Sequence, residues 1–142
     1  MRALLWVCCL VMVSTGASAT DPADIIFKEG YALVLCAAPD GHAQVSTDLF
    51  NAAFPQWIRF LQEQAEEGVV NRAHYLGELK DGVFVVVQGA TRQDAVGRAD
   101  VLIDGILSIL EQANQETRST PDFALADACR SVEVGPLALL PR

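Results

Sequence analysis

Five successive apolar residues, Val83 to Val87, four of them valine, stand between Gly82 and Gly89. β-Branched side chains are stiff and suit an extended backbone better than a helix, and a run this short is a strand rather than a helix. Alternate side chains of a strand point to opposite faces, so this strand is apolar on both. Both faces of its sheet then need covering, and the chain needs a layered fold.

The neighbouring segments supply the layers. Tyr31–Cys36 is a second apolar run, bounded by Gly30 and by Pro39, Asp40 and Gly41, and reads as a buried strand. Ala73–Leu79 reads as a strand that meets Val83–Val87 through a Lys80, Asp81, Gly82 turn. Ala126–Val134 reads as the last strand, ended by Gly135 and Pro136. Ser46, Thr47 and Asp48 each suit a helix N-cap. Proline costs a helix one hydrogen bond and clashes with the preceding turn. The expectation is a short helix over 47–53, then a second with Pro55 in its first turn. Phe54, Trp57, Ile58, Leu61 and Ala65 mark that second helix's buried stripe, and Gly68 is its stop. Thr91 caps a long helix to about Thr117, with Ala95, Ala99, Leu102, Ile103, Ile106, Leu107 and Leu110 on its inner side.

The resulting order is strand, helix, strand, strand, helix, strand. It is the split βαβ order of an α+β, ferredoxin-like fold. The first and last strands then lie side by side and antiparallel. Cys36, near the end of one, and Cys129, near the start of the other, would face each other.

Residues 1–19 read as a secretory signal. Arg2 precedes the apolar run Leu4–Val13, and Ala17, Ser18 and Ala19 form an A-x-A site with cleavage after Ala19. The expected map is a signal peptide over 1–19, a lead-in over 20–30, one domain over 31–136 and a tail over 137–142. A periplasmic or secreted destination is oxidising, so the pair left after cleavage, Cys36 and Cys129, reads as one disulfide. Their spacing suits neither zinc nor a CxxC redox site. No stable membrane insertion is expected after cleavage, because no other apolar run is long enough. The net charge of −8 argues against a nucleic-acid partner.

The stretch Phe54 to Gly89, with Gly68, then Gly77, Glu78 and Leu79, then Asp81 and Gly82, resembles the YCII-related family of small dimeric α/β-barrel proteins. Ala99, Asp100 and Asp104-Gly105 stand in its second-helix element, with Val101 in place of a proline, and Val132 to Val134 in its closing strand. The resemblance covers about residues 31–136. It implies a homodimer in which two sheets pack face to face, with a cleft between sheet and helices in each protomer. In this family a histidine precedes the apolar stripe of the first helix, and Gln56 stands at that register here. An amide cannot serve as a general base near neutral pH.

The expected role is therefore a non-catalytic module for a small apolar ligand or a protein partner, with Trp57, Tyr75 and Gln56 lining the pocket. The alternative is a small enzyme of the muconolactone-isomerase or monooxygenase-like type, acting on a small aromatic or lactone through His74 or His42 with Asp81. His74 and Glu78 share a strand face but lie about 13 Å apart along it, too far to touch. No cofactor or metal centre is expected, since GxSxG, HExxH and P-loop patterns and metal-ligand spacings are all missing from the sequence.

Overall fold

The computed structural model describes residues 26–42, 44–71, 77–79 and 82–139. The elements are β1 (Ile26–Lys28), β2 (Tyr31–Ala37), α1 (Thr47–Glu66), β3 (Gly77–Leu79), β4 (Gly82–Gln88), α2 (Arg92–Thr117), β5 (Cys129–Glu133) and β6 (Leu137–Leu139). The main sheet has four antiparallel strands in the order β3-β4-β2-β5. With its two helices it is an α+β architecture compatible with a ferredoxin-like fold. The strand read at Val83–Val87 is β4. It pairs along its full length with β2, with Leu33 opposite Val86 and Val34 opposite Val85. On the other side of β2, Cys36 pairs directly with Cys129 of β5, and the two are joined by a disulfide.

One face of this sheet meets both helices. Ala32 and Val34 of β2 and Val85 and Val87 of β4 are fully buried there, together with Leu61 of α1 and Ala99 of α2. Leu49, Leu61, Leu102 and Ile106 are the largest fully buried helix side chains; each contributes roughly 1.5–3 kcal/mol relative to exposure. The helices cross closely where Gly105 of α2 faces the Phe60 ring, and a Cβ at Gly105 would collide with that ring. The opposite face carries Leu33, Leu35, Phe84, Val86 and Val132 by strand alternation and register, all half-buried.

The helix ends follow local chemistry. Ser46 accepts from Leu49 N–H at 3.2 Å, and Thr91 accepts from Asp94 N–H at 3.1 Å, each satisfying a free donor of the first turn. Gly68, at φ +77°, ends α1 with Gly68 N–H donating to Ala65 and Val69 N–H to Gln64, a Schellman motif. Arg118 ends α2 in the left-handed region at φ +52°. Its following loop is tied back to the start of α1, as Ser119 bonds Ser46 at 3.1 Å and Thr117 at 2.8 Å.

Three expectations need correcting. The break at Pro55 does not occur: α1 runs unbroken from Thr47 to Glu66 with Pro55 inside it. Its buried residues are Leu49, Ala53, Trp57, Leu61 and Ala65, one apolar row at i, i+4 spacing on both sides of the proline. Pro55 and Asn51 are exposed, so the carbonyl left without its donor faces solvent, where its loss costs least. The strand read over Ala126–Val134 is β5 and starts at Cys129, because 125–127 form a 3-10 turn held by Asp127 N–H to Ala124 and Ala128 N–H to Leu125. The lead-in and tail segments also hold a pair of strands: β1 and β6 form a separate two-stranded antiparallel sheet, Phe27 opposite Ala138.

Candidate functional site

The end of β2, the loop that follows α2 and the start of β5 bring two cavities together beside the disulfide. They share Ala37, Ala38, Phe123 and Ala128 as a common wall. The first is a cleft of mixed polarity, about 550 Å³, whose lining includes Leu35, Asp40, His42, Asp127 and Arg130. The second is a mostly apolar cavity of about 110 Å³ whose lining includes Phe50, Ala53, Phe54 and Trp57 of α1, Val83 of β4, Ile106 and Leu110 of α2, and Gln44 from the loop before α1.

His42 reaches the cleft through a tight turn. Gly41 takes φ +83°, and His42 N–H donates to Pro39 at 3.0 Å, as a type II turn with glycine third requires. Its Nδ1 stands 3.6 Å from Asp122 Oδ2, beyond hydrogen-bond length, so the contact is an ion pair only when the imidazole is protonated. Both side chains are exposed, and such surface pairs contribute about 0–1 kcal/mol. The ring also meets Phe123 edge-on, with centroids 5.8 Å apart. Among the described residues no group of histidine, cysteine and acidic side chains is placed to hold a metal.

Trp57 is placed by the apolar row of α1 and is 8% exposed. Phe54 meets it edge-on at 6.4 Å and is itself stacked on Phe50 at 5.0 Å. Trp57 Nε1 is buried with no acceptor. An unsatisfied buried donor costs roughly 1–3 kcal/mol. For scale, an apolar cavity of roughly 150 Å³ accepts benzene.

The structure thus brings His42 and Trp57 to the two sides of one wall. Gln56, expected in the pocket, instead donates from Nε2 to Ala52 on its own helix at 3.4 Å and lines neither cavity. His74, Tyr75 and Asp81 lie outside the described residues. Phe123 and Asp122 escaped sequence reasoning because their role comes from a loop folded back on β2 from far along the chain. The break at Pro121 marked that loop but not where it packs.

The disulfide within the chain is consistent with an extracellular or periplasmic protein. No described helix is long and apolar enough to cross a membrane. No family model matches the chain, and comparison with curated proteins and with solved structures gives no match.

Proposed function

We propose that this is an exported, non-catalytic binding module, released by cleavage after Ala19, that pairs through the open face of its sheet and holds a small apolar ligand beside α1. The observation that carries this reading is the contrast between the two sheet faces. The helices cover one, and the other keeps Leu33, Leu35, Phe84, Val86 and Val132 together. Arg130, opposite Leu35, is the charged residue on this otherwise apolar face, and an apolar patch rimmed by polar side chains marks an interaction surface. The resemblance to the YCII-related family supports a second copy as the occupant, since two such faces packed together close an α/β barrel. The cavity at Trp57 supports the ligand.

Native mass spectrometry of the exported protein under non-reducing conditions tests the reading. Expected is a dimer with one intact disulfide per protomer and a retained small molecule. A monomer with free thiols would overturn it.

A second reading has one observation in its favour. His42 stands beside the Asp122 carboxylate on the wall of a 550 Å³ cleft, an arrangement open to acid–base chemistry on a small aromatic or lactone. Its substrate class comes from analogy with other users of this fold. It predicts turnover of such a compound that His42→Ala abolishes; unchanged turnover in that variant, or none in the wild type, rejects it.

A further inference from the structure

Trp57 combines two properties that core packing does not require. Its ring forms part of the wall of the 110 Å³ apolar cavity, and its Nε1–H is buried without an acceptor. A buried tryptophan ordinarily finds a partner for that hydrogen. Phenylalanine would fill a purely structural place and leave no orphan donor. No ionisable side chain stands on the described lining of the cavity, so a charged guest would be left uncompensated there.

We infer that the cavity takes one compact, uncharged molecule, about the size of a single six-membered ring, that carries one carbonyl or ether oxygen and accepts a hydrogen bond from Trp57 Nε1. This rests on the ligand-binding reading above and adds the chemical class of the ligand. Size follows from the volume, neutrality from the lining, and the single acceptor from the single orphan donor. Nε1 is buried in the ligand-free protein, so the proposed bond requires the indole to turn toward the oxygen as the ligand seats. The fluorescence of Trp57 reports that turn. The only other tryptophan, Trp6, leaves with residues 1–19.

The test titrates the exported, disulfide-intact protein with two probes of nearly equal shape. Cyclohexanone accepts a hydrogen bond and methylenecyclohexane does not. The expected result is saturable binding of both, with the ketone roughly tenfold tighter. In Trp57→Phe, followed by ligand-observed NMR, that preference disappears while both probes still bind. In Ala53→Leu, which fills the cavity, both are lost with the helical circular dichroism unchanged. Equal affinity of the two probes for the wild-type protein overturns the ligand class and leaves the cavity as a binding site. No saturable binding of either overturns the class and the ligand-binding reading together.

Discussion

The two faces of the main sheet are built from the same strands and differ in what they carry. The helix-covered face is small or β-branched: Ala32, Val34, Val85 and Val87, all with no exposure. Small side chains let α2 lie close against β2 and β4. The other face holds longer side chains, Leu33, Leu35 and Phe84, only half-buried. A protomer folds on its first face. The second is apolar beyond what that folding uses, and this surplus is the physical basis for the proposed pairing.

Substitution can break the comparison outright. Val34→Asp puts a charge without a partner among fully buried neighbours and is expected to cost about 4 kcal/mol or more. Leu33→Asp, one residue along and on the other face, is expected to leave the circular dichroism of the protomer unchanged and to abolish pairing. Urea unfolding and sedimentation of the two variants would measure this. Equal loss of stability in both would mean that the open face is core.

The next effect lies at the seam between β2 and β5. Replacing Cys36 and Cys129 together by serine removes a bridge between residues 93 apart in sequence. The expected cost is about 2–4 kcal/mol, read as a lower urea midpoint. The exported protein in reductant should shift the same way. A smaller cost is expected on the helix side, where Gly105→Val drives a side chain into the Phe60 ring. Overpacking of this kind costs roughly 1–3 kcal/mol, and adding Phe60→Ala should recover part of it in a double-mutant cycle.

The smallest effect depends on pH. The Ala90 N–H, donating at 2.7 Å, and then Arg98 at 3.1 Å hold the Asp94 carboxyl below its ordinary range at the start of α2. A carboxyl lowered in the folded state adds stability above its unfolded pKa and loses it as pH falls through the folded value. Asp94→Asn should therefore melt lower than wild type at neutral pH, and the gap should close in strong acid. A gap independent of pH would reject that assignment.

What could be read in the sequence was local. The valine run, the Thr91 cap and the Gly68 stop each follow from a few adjacent residues, and all three stand where expected. Cys36 opposite Cys129 was legible because strand order fixed the neighbours. Pro55 misled because a local penalty was weighed without the row from Leu49 to Ala65 that spans it. Pairing of β1 with β6 joins segments at the two ends of the described chain, and neither short strand signals its partner. Trp57 was legible as a buried residue of α1 from its place in the stripe. Its orphan donor and the approach of Asp122 to His42 were not, because both arise only when distant segments pack.

Sedimentation equilibrium of the exported wild-type protein beside Leu33→Asp tests the open sheet face most directly. Pairing through that face predicts a two-protomer mass for the wild type at micromolar concentration and a one-protomer mass for the folded variant. A one-protomer mass for both at every concentration, or a dimer that survives Leu33→Asp, would contradict it.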